Sequence, residues 1–376
     1  MNEPIRVLHV FGRLDAGGAE SRVMDIYRQI DKTKIQFDFV IHTEDECFYS
    51  KEVRELGGKI HSLTRFNGKN YFQYKKEWKK LLENNPEYDI IHGHQTTTAF
   101  VYLKIAKKMR RSVRIAHARN SNKESLFKYF SSKLSKFFAT HLFAVSKEAA
   151  ISEFGKREIK NKNVFTIPNA INAKKYTFNR KVRNEIREKM GLQNKLIVGH
   201  IGRFHPQKNH GFLIDVISSL SEKDDNLSLL LIGEGELEED IKNKVEKLDL
   251  KQNVQFLGRR SDVSDLLQAI DVIIFPSYYE GLPGAILEAQ AAGLPCVISD
   301  NVTKEVQLTN LVEFKPIEES PKEWAQLALK KGKFTTRENT FEIFLNKGYD
   351  IRSVAKFYEY FYSNPYIEYK ETKLND

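Results

Sequence analysis

The sequence is poor in cysteine, glycine and proline, and it contains no long apolar run. Two cysteines in 376 residues exclude a disulfide-stapled scaffold and a cysteine-rich metal site. Twenty glycines and ten prolines exclude collagen-like and low-complexity chains. No apolar stretch reaches the roughly 20 residues of a transmembrane helix, and the first residues lack the apolar core of a signal peptide. We therefore expect a cytoplasmic chain with reduced thiols.

Charge is abundant by contrast, and its two signs are unevenly distributed. The net charge is +10, to which residues 1–180 contribute +15 and the remainder −5. The basic excess is concentrated in residues 91–140, where eleven Lys and Arg side chains accompany a single acid, Glu124. This asymmetry indicates that the two halves meet different partners. Nucleic acid, an anionic membrane and a phosphorylated substrate are all candidates for the basic half.

Short apolar runs alternate with amphipathic stretches along most of the chain. This alternation predicts parallel strands covered on both faces by helices, the doubly wound α/β plan. The pattern restarts near residue 195, so we predict two facing Rossmann-like domains of six strands each, with a ligand cleft between them. The predicted segments are domains at 1–175 and 176–350, followed by a C-terminal helix and tail at 351–376 that pack back on the first domain. The predicted strands are residues 5–11, 36–42, 59–63, 89–93, 113–117, 141–145, 163–167, 196–202, 227–233, 253–257, 271–275 and 295–299.

Two glycine-containing loops follow predicted strands. Gly17 and Gly18 follow the first strand and open the first helix, where backbone amides could approach an anion. A tight turn is the alternative, because neither the P-loop nor the dinucleotide fingerprint is present. Gly233 and Gly235 follow a later strand, and a structural turn is the favoured interpretation of that pair.

Arg203 and Lys208 also lie between a buried strand and a helix. Two cations at the carboxyl end of a strand and the N-terminus of a helix suit a diphosphate. Solvated loop charges are the alternative, and they are the better interpretation when this segment is taken alone.

Residues 271–300 form the most informative segment. An apolar strand is followed by Glu280, Gly281 and Leu282, which lead into a helix that carries Glu288. Backbone amides in this loop could bind hydroxyls or phosphate, and carboxylates suit vicinal diols. The alternative makes Glu280 a helix cap and Glu288 a surface residue.

Histidines close two of the predicted strands, with His92 and His94 at one strand end and His117 at another. An H-x-H pair could ligate a metal ion, but no acidic companion cluster is visible. No strand ends in the D-x-D pattern of a metal-dependent site. We therefore expect no metal.

Residues 123–140 interleave four lysines with leucines and phenylalanines. This pattern predicts a basic amphipathic helix suited to an anionic membrane surface. The alternative is a helix whose apolar face packs on the core and whose lysines lie on the opposite, solvent-exposed face.

Taken together, these motifs resemble the retaining GT-B glycosyltransferases of family 4. The spacing Glu280-x7-Glu288, in the setting P-S-x-x-E-G-L-P…E-A-x-A-x-G-x-P, is highly specific for that family. The resemblance extends over most of the chain, and GRFHPQKNH, LLLIGEGEL and EAQAAGLPCVISD are most similar to bacterial capsular or exopolysaccharide enzymes. Residues 168–172 (PNAIN) depart from the usual PNG-[VI]-D, so Asn172 receives no role.

The resemblance implies a role for each motif. Arg203 and Lys208 would hold the donor diphosphate, Glu280 would bind hydroxyls of the donor sugar, and His117 would contact the transferred sugar; these four form the expected catalytic set. The remaining donor contacts would come from Gly17, Gly18, Phe256, Gly281, Leu282 and, at the ribose diol, Glu288. The first domain would bind the acceptor and the second the nucleotide sugar.

The sequence thus predicts a glycosyltransferase that moves a hexose or N-acetylhexosamine from a nucleotide sugar, with UDP favoured, to a polyprenyl-diphosphate-linked glycan. We expect no cofactor, no nucleic acid partner, and docking at the inner face of the plasma membrane through residues 91–140. A non-catalytic partner of another transferase is one alternative, which the intact motifs oppose. A phosphorylase or epimerase of the same fold is another. A basic nucleic-acid-binding protein is a third, which the acidic second half opposes.

Overall fold

The chain folds into two α/β units, each with its own parallel sheet. A computed structural model describes residues 3–119, 131, 133–160, 164–224, 226–333 and 336–366. Unit 1 comprises Met1–Ala170 together with Gly348–Asp376, and unit 2 comprises Ile171–Lys347. The two divisions fall a few residues before the boundaries expected at 175 and 350. The prediction of two doubly wound parallel-sheet domains is confirmed.

Unit 1 is built on a seven-stranded sheet of order β3-β2-β1-β4-β5-β6-β7. Every residue of β2 is buried, as expected for a strand covered on both faces. The strand order reverses between β1 and β4, which makes their carboxyl ends the switch point of the sheet. The strands are β1 (Ile5–Val10), β2 (Ile35–Ile41), β3 (Ile60–Ser62), β4 (Ile90–Gly93), β5 (Val113–Ala118), β6 (His141–Ala144) and β7 (Val164–Thr166).

Helices cover both faces of this sheet. Because successive strand residues point to opposite faces, Val7 of β1 joins the core on one side and Leu8 the core on the other. The second core contains Trp78 and Tyr102, both fully buried. The α-helices that the structure bounds before Ala170 are α1 (Gly18–Gln29), α2 (Ser50–Glu55), α3 (Tyr71–Asn84), α4 (Thr96–Lys108) and α5 (Lys147–Phe154).

Unit 2 repeats the plan on a six-stranded sheet of order β10-β9-β8-β11-β12-β13. The strand order reverses between β8 and β11: the strands that follow β8 extend the sheet in one direction, and those that follow β11 extend it in the other. The carboxyl ends of β8 and β11 are therefore the switch point of this sheet. The strands are β8 (Leu196–Ile201), β9 (Leu227–Ile232), β10 (Val254–Phe256), β11 (Val272–Phe275), β12 (Cys296–Ser299) and β13 (Val312–Lys315).

The helices of unit 2 pack on its sheet around a core that includes the fully buried Trp324. Pro321 begins the helix that carries this tryptophan, and Ser320 and Glu323 form a capping box there. The helices are α6 (Ala173–Tyr176), α7 (Arg180–Lys189), α8 (His210–Ser221), α9 (Glu238–Lys247), α10 (Val263–Ala269), α11 (Gly284–Ala291), α12 (Pro321–Gly332) and α13 (Phe341–Asn346).

The last described helix, α14 (Ile351–Ser363), belongs to unit 1 and packs against α1. Its buried face places Tyr358, Phe361 and Tyr362 in the same core as Val7. The chain therefore leaves unit 1 after Ala170 and returns to it at Gly348.

The expectation of six strands in each domain is wrong for unit 1, which has seven. The strand predicted at 163–167 is β7 and pairs with β6, so it belongs to the first sheet. The pattern missed β13 altogether, because Glu313 and Lys315 interrupt its apolar residues and it lies at the edge of its sheet. Within the described residues, no helix combines the length and the apolar character needed to cross a bilayer.

Candidate functional site

The switch point of unit 2 brings together two of the residues singled out in the sequence. Lys208 lies on the loop that follows β8, in a short 3-10 helix, Pro206–Lys208, and Glu280 lies on the loop that follows β11. Because β8 and β11 are neighbours, these loops leave the same edge of the sheet side by side. Lys208 Nζ lies 2.5 Å from Glu280 Oε1.

This ion pair is largely buried, with the lysine side chain 17% and the glutamate 13% exposed. The lysine ammonium also lies 4.6 Å from the ring centre of Phe275, at the end of β11. Backbone contacts hold the two loops in register: Tyr278 N donates to Gln207 O at 2.9 Å. A paired but desolvated charge is the arrangement in which loss of one partner is most costly.

Arg203 points to a different partner. Its Nη2 donates to Glu236 Oε2 at 2.9 Å, and both side chains are largely exposed, at 68% and 48%. Glu236 lies in the loop that follows β9. Arg203 is thus on the same sheet edge as Lys208, but its carboxylate partner is not Glu280.

The glycines of the Gly233-x-Gly235 pair let two loops pass backbone to backbone. A Cβ on Gly233, whose φ is +143°, would lie 2.1 Å from Gly202 O, and one on Gly235 would lie 2.4 Å from Phe204 O. Both distances are far below a normal contact. This close approach supports the structural interpretation of the pair and fixes the loop that carries Arg203.

The alternatives for the two glutamates do not hold. Helix α11 has Pro283, not Glu280, at its N-cap and no side-chain cap there. Glu288 lies in α11 and is 8% exposed, so it is not a surface residue. Gly281 and Leu282 lie in the same loop as Glu280, with Leu282 buried.

Phe256 ends β10 and is partly buried. Its ring stacks on that of Phe204 with centres 5.9 Å apart. Phe256 therefore belongs to the same sheet edge as the loop that carries Arg203.

In unit 1, Gly17 and Gly18 stand at the start of α1, directly after the switch point. Gly17 is the N-cap and no side chain caps the helix. A Cβ on Gly17 would lie 2.3 Å from Glu20 Oε2, whereas one on Gly18 would meet nothing within 4 Å. No N-cap side chain covers the amides of this first turn, but the carboxylate of Glu20 lies beside them.

His117 belongs to a cluster of buried histidines at the same sheet edge. His9 on β1 pairs in register with His92 on β4, and His117 lies near the end of the neighbouring β5. His92 Nε2 lies 2.9 Å from His117 Nδ1, and His9 Nδ1 lies 2.9 Å from His94 Nε2. Tyr362 of α14 closes the chain of contacts with its hydroxyl 2.7 Å from His92 Nδ1.

Burial lowers the pKa of all four histidines well below the ordinary value, so they are neutral in the folded chain. Arg119 Nε donates to His94 Nδ1 at 3.1 Å, which places the proton of His94 on Nε2. His94 then donates to His9 Nδ1, and His9 carries its proton on Nε2. The Nε2 atoms of His9 and His117 are buried and have no hydrogen-bond partner among the described residues.

The ring nitrogens of His9, His92 and His94 lie within 4.8 Å of one another, close enough to hold a metal ion. Their nitrogens are already engaged in hydrogen bonds: His9 and His94 bond to each other, and His92 bonds to Tyr362 and His117. Arg119 donates to His94. A divalent cation there would face a guanidinium with no carboxylate among its ligands. The geometry therefore favours a hydrogen-bonded cluster over a metal centre.

The sequence reasoning missed His9, Arg119 and Tyr362. The first two carried a usable signal: His9 lies near the end of the first predicted strand, and Arg119 follows His117 by two residues, the spacing of one strand face. Tyr362 carried no signal, because its contact depends on how α14 packs in unit 1.

Of the helix predicted at 123–140, residues 123–130 and 132 lie outside the described residues. In its described part, Leu134 and Phe137 are 45% and 63% exposed. Phe138 packs against the core of unit 1, and Lys136 pairs with Glu158 at 2.9 Å. Docking at a membrane through residues 91–140 stays a prediction.

Two family models match successive parts of the chain. The model described as Glycosyltransferase Family 4 matches residues 16–175, and the model described as Glycosyl transferases group 1 matches residues 182–328. Together these matches span most of both units.

Named relatives point the same way. EpsF of Bacillus subtilis strain 168, described as a glycosyltransferase, is 33% identical over 331 residues, which cover 85% of this chain and 86% of EpsF. The UDP-Gal:α-D-GlcNAc-diphosphoundecaprenol α-1,3-galactosyltransferase of Escherichia coli is 32% identical over 59% of this chain and 60% of the enzyme. The capsular polysaccharide biosynthesis glycosyltransferase CapH of Staphylococcus aureus is 26% identical over 85% of this chain and 89% of CapH.

Among solved structures, HepE of Anabaena in complex with UDP and glucose superposes with a TM-score of 0.73. The two share 19% identity, and the match covers 94% of this chain and 95% of HepE. At this identity the likeness shows the fold, which is GT-B, with two parallel-sheet α/β domains. With a relative of 33% identity along most of its length, the chain belongs to the glycosyltransferases that join a family 4 domain to a group 1 domain.

Proposed function

We propose that this glycosyltransferase moves a hexose or N-acetylhexosamine from a UDP-sugar to a polyprenyl-diphosphate-linked glycan, with retention of anomeric configuration, in capsule or exopolysaccharide synthesis. The buried Lys208–Glu280 pair at the switch point of unit 2 carries the proposal, because it brings a cation that could face a diphosphate next to a carboxylate that could accept from sugar hydroxyls. UDP bound to HepE supports the nucleotide. The lipid-linked acceptor is supported by the name of the E. coli relative, and the capsule role by that of CapH.

Leaving-group stabilisation is the proposed source of catalysis. As the bond between the sugar carbon and the diphosphate breaks, negative charge develops on the diphosphate. The acceptor hydroxyl oxygen bonds to the same carbon, and its proton passes to the departing diphosphate. Lys208 and Arg203 stand on one loop at the carboxyl end of β8, where two fixed cations receive that charge. This arrangement needs no metal ion, so we propose metal-independent transfer.

The carboxylates have a separate task in this proposal. Glu280 would accept hydrogen bonds from hydroxyls of the donor sugar while Lys208 turns to the diphosphate. Glu288, on the second turn of α11, would bind the ribose diol, and its burial suits a group that holds a ligand in one geometry. His117 would contact the transferred sugar from unit 1.

Membrane association completes the proposal. A lipid-linked acceptor lies in the bilayer surface, and the basic excess in residues 91–140 matches an anionic leaflet. We propose a cytoplasmic enzyme that docks at the inner face of the plasma membrane. The exposed Leu134 and Phe137 are the apolar side chains available for that contact in the described part of the segment.

The decisive experiment offers the full chain a panel of nucleotide sugars together with a short polyprenyl-diphosphate-linked saccharide. We expect one UDP-sugar to raise the melting temperature and to release UDP as the glycan is extended, with the same rate in EDTA. Nuclear magnetic resonance of the product would show the anomeric configuration of the donor retained. The variant Glu280→Gln should lose turnover, whereas Glu246→Gln, which alters an exposed Lys–Glu pair, should not.

Three outcomes would contradict the proposal. Absence of turnover with every donor and acceptor would favour a non-catalytic partner of another transferase. Release of sugar phosphate would indicate a phosphorylase. Activity abolished by EDTA and restored by Mn²⁺ would refute metal independence.

A further inference from the structure

The outward face of α3 carries the most exposed large apolar side chain among the described residues. Phe72, on the first turn of that helix, is 83% exposed. Its ring meets that of Tyr71 edge-on, with centres 5.6 Å apart, and Tyr71 in turn packs on the core that contains Trp78. A single exposed aromatic is common on folded proteins, so the side chains around Phe72 decide what this one indicates.

The side chains that share this face are lysines. Lys76 and Lys80 follow Phe72 at intervals of four residues, so the three lie on one side of the helix, opposite its buried side. Lys79 lies beside them and pairs with Glu83 at 3.3 Å. Lys76 and Lys80 are exposed, and neither takes part in an ion pair with another described residue. An aromatic ring and two uncompensated cations therefore project into solvent together.

Helix α4 continues this basic surface. It packs beside α3 and covers the same side of the sheet. Together α3 and α4 carry seven lysines against two glutamates, whereas α1 and α14, which pack together on the other side, carry four basic side chains against three acidic ones. The excess positive charge is thus on one side of unit 1. We call this surface the α3–α4 face; its exposed members are Phe72, Lys76, Lys79, Lys80, Lys104, Lys107 and Lys108.

Phe72 also lies at the sheet edge that carries the candidate site residues of unit 1. Helix α3 comes after β3, and a helix that follows a parallel strand begins at the carboxyl edge of the sheet. Gly17 and His117 lie at that same edge. Arg65 and Lys69, in the segment between β3 and α3, are exposed there as well. A broad partner on the α3–α4 face therefore extends to the edge at which unit 1 would receive an acceptor.

We propose that the α3–α4 face docks on an anionic phospholipid leaflet, with Phe72 among the headgroups and the lysines against the phosphates. The negative potential of such a leaflet attracts lysines, and aromatic rings are favoured at the interface between membrane and water. The face includes α3, which lies outside residues 91–140, and does not depend on Leu134 or Phe137. That docking presents a lipid-linked acceptor to unit 1 rests on the proposed function, whereas the docking itself does not.

The test measures co-sedimentation of the full chain, at low salt, with vesicles of roughly one-third phosphatidylglycerol and two-thirds phosphatidylcholine. We expect binding that vesicles of phosphatidylcholine alone do not support. Lys76→Gln combined with Lys80→Gln should lower the partition coefficient about 25-fold, about five-fold for each lysine. Phe72→Ser should lower it roughly five- to ten-fold, because the aromatic ring no longer leaves water on docking.

Matched controls come from the other side of the sheet. Lys51→Gln combined with Lys356→Gln removes two exposed lysines, one on α2 and one on α14, and Tyr360→Ser removes an exposed aromatic of α14. These variants should bind the vesicles as the native chain does. All of the substituted side chains are exposed, so melting temperatures close to that of the native chain should show that each variant is folded.

Three results would overturn the assignment to this face. An equal loss of binding in the control variants would indicate a general effect of net charge. Binding that is unchanged in the α3 variants and lost in Phe137→Ser would place the contact in the segment considered above. Tighter binding to a single-stranded oligonucleotide than to the vesicles, lost in the double lysine variant, would assign the face to nucleic acid. Docking through α3 without sugar transfer to any acceptor would support the inference and count against the proposed function alone.

Discussion

Arg203 and Lys208 lie five positions apart on one loop, yet their surroundings differ in a way that separates their effects. Lys208 is buried against Glu280 and Phe275, so its removal would disturb folding and chemistry together. Arg203 is 68% exposed and pairs with an exposed carboxylate, an interaction that contributes little to stability. Arg203 is therefore the residue at which the role in catalysis can be tested cleanly.

Replacing Arg203 by alanine should lower kcat by about 10²–10³-fold, the cost of one lost donor to developing charge. The melting temperature should stay close to that of the native chain, because the substituted side chain is exposed. Steady-state kinetics and a thermal melt measure both quantities. Arg260→Ala removes another exposed arginine with a carboxylate partner and should leave kcat unchanged. A kcat near the native value in Arg203→Ala would refute the assignment.

At the scale of elements, the loops after β8 and β9 are packed directly against each other. Their backbones meet where Gly233 and Gly235 leave no room for a side chain. The loop after β11 joins them through Gln207, whose Nε2 donates to Tyr279 O at 2.8 Å. The site at this sheet edge is thus positioned by contacts between loops as well as by the strands.

Gly235→Ala should destabilise the chain by about 1–3 kcal/mol, the usual cost of overpacking, because its Cβ would lie 2.4 Å from Phe204 O. The displaced loop should also slow turnover. Denaturant unfolding and kinetics on the same preparations test this. Gly211→Ala in α8 is the matched control, since its nearest atom would be Lys244 Nζ at 4.0 Å and no loss of stability is expected. Equal stability of the two variants would contradict the steric argument.

In unit 1, helix α14 supplies core residues from the far end of the chain. Phe361 is 4% exposed while its neighbour Tyr360 is 49% exposed. Phe361→Ala should cost about 3–5 kcal/mol of unfolding free energy, and Tyr360→Ala should change it by less than about 0.5 kcal/mol. Urea unfolding of both variants measures the difference. Comparable losses in the two would show that α14 does not pack as described.

For the whole molecule, the buried neutral histidines of both units determine how stability depends on pH. Burial lowers the pKa of His42 in unit 1 and of His210 in unit 2 to about 4. Such groups bind protons more strongly in the unfolded chain than in the folded one. Stability is therefore present above pH ~6.5 and is lost as the pH falls from there through about 4.

His210→Phe should make the chain less sensitive to acid. Both ring nitrogens of His210 lack partners among the described residues, and the ring stacks on Phe204 with centres 4.3 Å apart, so phenylalanine retains the packing. At pH 5 this histidine lowers the free energy of unfolding of the native chain by on the order of 2 kcal/mol, because it binds a proton only when the chain unfolds. The variant does not lose this stability. Urea unfolding at pH 7.5 and pH 5 measures this. His205→Phe, at a partly exposed histidine, is the control. An identical loss between the two pH values in the variant and the native chain would refute the linkage.

The sequence predicts the two-unit α/β plan well, because buried parallel strands such as β9 (LSLLLI) are apolar throughout. It predicts loop motifs such as Lys208 and Glu280 for the same reason, since each follows a recognisable strand. It does not predict β13, whose charged residues conceal an edge strand. Nor does it predict Tyr362 as a partner of His92, because 270 residues separate the two and no local pattern encodes their contact.

The return of the chain to unit 1 has a consequence for how the protein is made. Unit 2 is continuous from Ile171 to Lys347, so all of its strands and helices have been synthesised before the ribosome reaches α14. Unit 1, although it begins the chain, lacks Tyr358, Phe361 and Tyr362 until that point, and its core against α1 stays open to water. Domains of nascent chains usually fold from the N-terminus onward. Here the second unit can complete its core first, and the first must wait for the last helix.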